Sequence, residues 1–274
     1  NPKNPGDTYP FKGLAGVGVA YKLALALSRS CDIPRSLITE VLELVAVGTI
    51  ADIMPLVDEN RSLVKYGLRL MRLGFKNKGL RRLTEMAGVD YSTMDSTNVA
   101  FAIVPRINAA GRLGDASLGV EMLLSDDDDD IERLCTKLME NNKRRRELQR
   151  EAYENCIGTA ERELERGDFI MIEAESAHEG ILGIVAGNLK ERFNRPVVIV
   201  SPSDGQLKGT GRSIDGIDLY ALLNKHADCF VKFGGHRTAC GFTMKPEVLE
   251  HLRITLNEDV AELLADNDEL FDRK

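Results

Sequence analysis

Apolar residues recur at helical spacing throughout the first 125 residues of the chain. An apolar side chain every three or four positions is the repeat of an amphipathic helix. This repeat predicts helices over 17–28, 36–47, 60–73, 78–87 and 96–104. The part of the chain before residue 126 is therefore predicted to be mostly helical.

A long polar pattern with sparse apolar positions follows over residues 126–166. It opens with five aspartates, 126–130, and negative charge is favoured where a helix begins. The pattern predicts one connecting helix that ends near Gly167. The arginines 144–146 in its middle are interpreted as a solvated helix face.

The pattern changes to short apolar runs after Gly167. Runs rich in β-branched residues, bounded by glycine and proline, indicate strands. Strands are predicted over 169–172, 196–200, 207–213 and 239–244, with helices over 183–193 and 248–264. The chain is thus predicted to be an α/β protein: a mostly helical part (1–125), a connecting helix (126–166), and a domain with a mixed sheet flanked by helices, a closing helix and an acidic tail (167–274).

The net charge of −7 is unevenly distributed. Residues 126–166 hold 9 basic against 13 acidic side chains, and residues 246–274 hold 3 against 9. Residues 1–125 hold 15 basic against 12 acidic, and 167–245 are balanced. Acidity in a connector and a tail leaves the remainder free to bind an anion.

Cysteine content and hydropathy exclude several classes of protein. The five cysteines are widely spaced with no CxxC pair, which argues against structural zinc and favours reduced thiols. No apolar run approaches the roughly 18 residues of a membrane span, so no membrane association is expected. The chain does not begin with Met, and we expect a processed protein or an excised segment of a longer one.

Two motifs in the helical part contain residues suited to metal or phosphate binding. GTIADIMPL at 48–56 places Asp52 among apolar residues, where a carboxylate needs a cation, a helix end or a metal; a structural helix cap is the default interpretation. RINAAGRLG at 106–114 places Arg106, Asn108 and Arg112 among small residues. Guanidinium groups suit phosphate, and a helix-to-loop corner with surface arginines is the alternative.

Three further motifs lie in the α/β part. SAHEGILGIVA at 176–186 places His178 between a strand and a helix, where phosphates are often bound. KGTGRS at 208–213 combines two glycines with Arg212 and Ser213. FGGHR at 233–237 sets Gly234 and Gly235 beside His236, and is interpreted as a phosphate-binding loop. The remaining histidines, at 226 and 251, are interpreted as structural and surface residues.

These motifs together suit a phosphate ester, bound in a cleft between two domains. Acyl transfer and nicotinamide chemistry are disfavoured, because neither a G-x-S-x-G elbow nor a G-x-G-x-x-G loop is present.

The series of motifs, with the segment YPFKGLAGVGVA at 9–20, resembles the DHH/DHHA1 phosphoesterase superfamily, and within it the RecJ-like exonucleases. The similarity covers nearly the whole chain in the same order. It implies that residues 1–125 are the C-terminal part of a DHH domain and 167–274 a DHHA1 domain.

The resemblance also implies a role for each matching residue. Asp52 falls on a metal-ligating aspartate, and Arg106, Asn108 and Arg112 on a motif that contacts substrate near the metal site. His178, Arg212 and Ser213 fall on DNA-contacting positions. His236, with Gly234 and Gly235, is expected to bind the phosphate near the scissile bond.

The implied activity is 5′→3′ hydrolysis of single-stranded DNA in repair and recombination, in the cytoplasm, with Mn²⁺ or Mg²⁺ as cofactor. Single-strand-binding protein and a helicase are implied partners. The family's Asp-His-His motif, however, is absent from this sequence. One aspartate cannot hold two divalent ions, so we expect this chain alone to be inactive and to bind metal weakly.

Two alternatives remain open at this point. One is a smaller DHH phosphodiesterase acting on nanoRNA, cyclic dinucleotides or phosphoadenosine phosphate; the long 126–166 segment and KGTGRS favour the exonuclease. The other is a non-catalytic scaffold that binds single-stranded DNA; the intact GTIAD and GGH segments argue against it.

Overall fold

The protein is described by a computed structural model of residues 1–31, 33–175, 177–267 and 269–272. It is an α/β protein with one five-stranded sheet, as predicted. The chain divides into two compact units, Asn1–Lys143 and Arg144–Lys274. The described part contains no helix long and apolar enough to cross a membrane.

The first unit is built from helices. Their apolar faces surround a core that includes Leu80, Leu83, Met94 and Met122, all fully buried. The helices are α1 (Gly16–Ser30), α2 (Arg35–Glu40), α3 (Leu42–Ala51), α4 (Asp58–Arg72), α5 (Lys78–Met86), α6 (Ser96–Asn98), α7 (Val104–Leu113), α8 (Ser117–Leu124) and the first part of α9 (Asp128–Leu164).

The single helix predicted over 36–47 was wrong, because two helices, α2 and α3, meet at Val41. The only buried residue of α2 is Ile38, whereas α3 is buried on nearly every side. Thr39 and Val41, which are β-branched, lie at the break, and such residues weaken a helix. The break separates a largely exposed helix from a core helix.

The segment predicted as a helix over 96–104 continues much further. A π-helical turn, Val99–Ile103, joins α6 to α7, and α7 ends at Leu113, followed by Gly114 with a φ of 126°. Residues 106–113 therefore lie on a helix, and only its end forms a corner.

The predicted connecting helix is α9, which is 37 residues long. The side chain of Asp127 accepts a hydrogen bond from the backbone N–H of Asp130 at 2.8 Å, which caps the first turn. Leu134 and Leu138 belong to the core of the first unit, and Ala160 belongs to that of the second. The division between the units falls inside this helix, after Lys143.

The second unit contains the sheet, in the order β1-β2-β3-β5-β4. Only β1 and β2 are parallel, so the sheet is mixed as predicted. Its elements are β1 (Ile170–Glu173), α10 (Glu179–Phe193), β2 (Val197–Ser203), β3 (Gln206–Arg212), α11 (Leu219–Asn224), β4 (Phe230–His236), β5 (Ala239–Met244) and α12 (Leu249–Asp266).

Helices pack on both faces of the sheet. Side chains of α11 and α12, such as Leu219 and Leu256, pack against one face. The end of α9 and the apolar side of α10 cover Ile172 and Ile199 on the other face. An ion pair between Arg253 and Glu163 fixes α12 to α9, and Arg253 also donates to the carbonyl of Met171.

All five cysteines are free, in agreement with the reduced-thiol interpretation. Burial raises the pKa of the Cys135 thiol, and that of Cys240, to about 11. These thiols stay protonated near neutral pH and are poor nucleophiles.

Candidate nucleic-acid interface

The strand register places Arg212 and His236 on the same face of the sheet. Arg212 pairs with Ala239, and Ala239 pairs with His236. Residues paired directly across neighbouring strands point the same way, and neighbouring strands lie about 4.8 Å apart. We call this side of β3, β5 and β4 the outer face; it brings together two residues that are 24 positions apart in sequence.

The guanidinium of Arg212 lies between β3 and α10. Its Nη1 donates to the carbonyl of Gly211 at 2.7 Å and contacts the hydroxyl of Thr210 at 3.4 Å. A Cβ at Gly183 on α10 would approach Nη2 to 2.8 Å. The missing side chain at Gly183 therefore makes room for Arg212, which fixes the guanidinium instead of leaving it free in solvent.

His236 is exposed at the end of β4. Its Nδ1 lies 3.4 Å from the backbone N–H of Thr238, which donates to it, and 3.2 Å from the hydroxyl of Thr238. A neutral ring that accepts at Nδ1 carries its proton on Nε2. His236 can therefore donate a hydrogen bond to an anion through Nε2.

The interpretation of Gly234-Gly235-His236 as a loop was wrong, because all three lie in strand β4. Phe230, Val231 and Phe233 favour extended structure before the glycines. Gly235 pairs with Cys240 at a φ of 156°, with the carbonyl of Ala239 only 2.4 Å from where a Cβ would lie. Glycine at 235 thus permits a close approach of the two strands that a side chain would block.

His178 directly precedes α10 and caps its first turn. Its Nδ1 accepts a hydrogen bond from the backbone N–H of Gly180 at 3.1 Å, and its side chain is exposed. The predicted strand-to-helix position is thus confirmed for His178. Ser176, the first residue of the same motif, lies outside the described residues.

Ser213 has a different environment from Arg212. Its hydroxyl is buried and donates to the carbonyl of Ile217 at 2.9 Å. This bond closes the turn after β3. A DNA contact by the Ser213 side chain remains a prediction, and the structure gives its hydroxyl an internal partner.

In the first unit, Asp52 follows the end of α3 and is exposed. The apolar setting predicted for it was wrong, because its neighbour Ile53 is 88% exposed, with a φ of 53°. Across the described ranges, no group of three or more His, Cys, Asp or Glu side chains is arranged to hold a metal ion. Asp52 could supply one ligand, but these residues do not fit a two-metal centre.

Helix α7 separates the three residues of the RINAAGR motif. Asn108 and Arg112 are exposed and four positions apart, hence on one side of the helix. Arg106 is two positions from Asn108 and points elsewhere: its Nε lies 3.0 Å from the sulfur of Met139 on α9, and it donates to the carbonyl of Ala102. The cleft predicted to combine these residues with those of the second unit stays a prediction.

One side chain of the outer face was missed in the sequence. Lys232 lies two rows along β4 from His236, on the same side. Because alternate strand residues share a face, the spacing Lys232-Gly234-His236 is the signal that would have identified it. The loop interpretation of the glycines concealed that alternation.

The second unit presents Arg212 and His236 on one face of a mixed sheet, next to helix α10. Residues 167–262 match the DHHA1 domain family. The sequence therefore places the second unit in the DHHA1 class.

The relatives extend this similarity to nearly the whole chain. The single-stranded-DNA-specific exonuclease RecJ of Bacillus subtilis is 38% identical over 98% of this chain and 34% of its own length. RecJ of Escherichia coli is 36% identical over 96% of this chain and 49% of its own length. A crystal structure of RecJ from Thermus thermophilus in complex with Mg²⁺ has a TM-score of 0.83 and 34% identity, over 93% of this chain and 39% of that one.

Over nearly its whole length the chain is thus a homologue of part of RecJ. It spans one third to one half of the length of these curated relatives.

Proposed function

We propose that this chain is the substrate-binding segment of a RecJ-type exonuclease that hydrolyses single-stranded DNA from the 5′ end. We also propose that the enzyme acts in DNA repair and recombination in the cytoplasm, with single-strand-binding protein and a helicase as partners. The observation that carries it is the pairing of Arg212, Ala239 and His236 in one row of the outer face, with Arg212 against α10.

The two side chains of this row suit a phosphodiester. The planar guanidinium of Arg212 can contact two non-bridging oxygens at once, and His236 offers a donor at Nε2 that stabilises negative charge on the phosphate. His178 lies on the same segment as the start of α10, where backbone dipoles favour an anion. In the helical unit, the exposed Asn108 and Arg112 on one side of α7 are also proposed to contact DNA.

A divalent ion, Mn²⁺ or Mg²⁺, is the expected cofactor of the longer enzyme, and RecJ of Thermus thermophilus was crystallised with each ion. Asp52 is the ligand that this chain would contribute. Because the described residues do not fit a complete metal centre, the hydrolytic step is not assigned to them. Their proposed work is to hold and orient the scissile phosphate.

An oligonucleotide assay tests the proposal. Chain 1–274, incubated with Mn²⁺ and a 5′-labelled single strand, is expected to bind the strand and leave it intact, since binding residues are present and the Asp-His-His motif is not. Binding is measured by fluorescence anisotropy and cleavage on a sequencing gel. Hydrolysis at rates typical of enzymes, on the order of 1 s⁻¹ or faster, would contradict the claim that this chain binds DNA without cleaving it. Failure to bind the strand would contradict the proposed function itself.

Strand length separates the exonuclease from the smaller phosphodiesterases. A protein that acts on long single strands should bind a twelve-nucleotide strand much more tightly than a dinucleotide. Equal affinity for both would favour a nanoRNase or cyclic-dinucleotide phosphodiesterase.

A further inference from the structure

The outer face continues beyond the row that contains Arg212 and His236. Side chains alternate between the two faces of a sheet, so the next rows on this side follow at intervals of two residues. Thr210, Gly241 and Gly234 form the second row. Lys208, Thr243 and Lys232 form the third.

The second and third rows form an open groove of about 480 Å³. The groove is deep at the second row because two of the three residues there are glycines, which have no side chain. A Cβ at Gly234 would meet nothing within 4 Å. The start of α10, at Glu179 and Gly180, borders the groove. An extended chain therefore has space to pass from the first row to the third.

The third row is positively charged. Lys232 is exposed and forms no ion pair within the described part of the chain. Lys208 has a side chain 46% exposed and pairs with Glu179 at 2.8 Å. The ion pair holds the ammonium at the border of the groove, and it raises the pKa of Lys208. Two cations thus stand on β3 and β4, the same strands that carry Arg212 and His236.

The distance between the charged rows matches a single strand of nucleic acid. Four residues separate the first and third rows, a distance of roughly 13 Å along a strand. An extended single strand spaces its phosphates roughly twice as far apart as the about 3.4 Å rise per nucleotide in a duplex. Two such steps cover the distance, with one phosphate between the charged rows.

We propose that Lys208 and Lys232 bind the DNA backbone two phosphates away from the phosphate held by Arg212 and His236, and that the glycine floor between the rows accommodates the intervening nucleotide. This inference rests on the proposed function and extends its site by one pair of residues.

The test compares two double variants on a twelve-nucleotide oligothymidylate and on a dinucleotide. Lys208→Ala/Lys232→Ala is expected to weaken binding of the long strand about tenfold and to reduce the slope of log affinity against log salt by about 1.4, since each of the two lost phosphate contacts of a single strand contributes roughly 0.7. The dinucleotide, which cannot span both rows, should bind with unchanged affinity. The control, Lys190→Ala/Lys225→Ala, removes the same charge at the far end of α10 and beside Asp259.

The outcomes separate the two proposals. Loss confined to the long strand, with the control unchanged, supports the lysine row. Equal behaviour of the two double variants, while Arg212→Ala still weakens binding, overturns the lysine row and leaves the proposed function standing. If the unaltered chain fails to bind the long strand at low salt, the proposed function fails and the lysine row with it.

A variant that is expected to increase the affinity for DNA strengthens the test. Glu179→Gln removes the carboxylate that competes with DNA for Lys208, so the long strand should bind about threefold more tightly by the electrostatic attraction released. Weaker or unchanged binding would count against a phosphate contact at Lys208.

Discussion

The double variant Arg212→Ala/His236→Ala should lose at least about a hundredfold in affinity for single-stranded DNA, because hydrogen bonds to charged groups contribute roughly 1.5–3 kcal/mol each. Both side chains lie in one row of the outer face, and Arg212 is already held in place by Gly211 and α10. Neither residue belongs to the apolar core of the unit. The loss should therefore appear in binding, with little change in unfolding.

A matched control removes the same residue types elsewhere in the unit. Arg192 is exposed in the second half of α10, and His251 is exposed on α12. Arg192→Ala/His251→Ala should retain nearly the full affinity in a fluorescence anisotropy titration. An equal loss of affinity in both double variants would mean that DNA binding depends only on the overall charge, and that the row of Arg212 and His236 is not a specific site.

The substitution Gly235→Ala should destabilise the protein by about 3 kcal/mol, near the upper end for a single change. A Cβ at this position would lie 2.4 Å from the carbonyl oxygen of Ala239 and 2.7 Å from the Cα of Cys240. Both atoms belong to the backbone at the junction of β4 and β5, so no side chain can move aside. Relief requires β4 to separate from β5, which displaces His236 and should also weaken DNA binding.

Urea unfolding of the whole chain measures this effect, with Gly187→Ala as the control. Gly187 lies inside α10, and a Cβ there would meet nothing within 4 Å. Alanine should stabilise a helix interior by up to about 1 kcal/mol relative to glycine. If Gly235→Ala unfolded at the same urea concentration as the unaltered chain, the close contact between the two strands would be refuted.

Local patterns were enough to predict most of the elements. The helical repeat located α1, α4, α5 and α9, and the β-branched runs located β1 and β2. These signals depend only on neighbours along the chain, which the sequence displays directly. The break at Val41 and the π-helical turn before α7 depend on how α3 and α7 pack, and packing is not a local property.

The conformation of strand β4 depends on contacts that are distant in sequence. Two consecutive glycines normally indicate a turn, and Gly234-Gly235 were interpreted that way. Their strand conformation depends on pairing with Gly241 and Cys240 on β5. That pairing also places His236 beside Ala239, in the same row as Arg212. The residues of the site could therefore be predicted from the sequence, whereas their arrangement required the sheet register.

In the helical unit, too, the sequence identified the candidate residues but not their directions. Arg106, Asn108 and Arg112 were identified together as one motif, but α7 points Arg106 towards Met139 and leaves the other two exposed. Apolar neighbours in sequence predicted an apolar setting for Asp52, yet its neighbour Ile53 is exposed after the end of α3. Sequence neighbours define a residue's environment only when the backbone direction is known.

Titration of the isotope-labelled chain with a single-stranded oligonucleotide, followed by amide chemical shifts, tests most directly whether the outer face binds DNA. The largest changes are predicted for Gly234, His236 and Gly241, and for Gly180 at the start of α10. Changes confined to the arginines 144–146 of α9, with the outer face unaffected, would contradict the account.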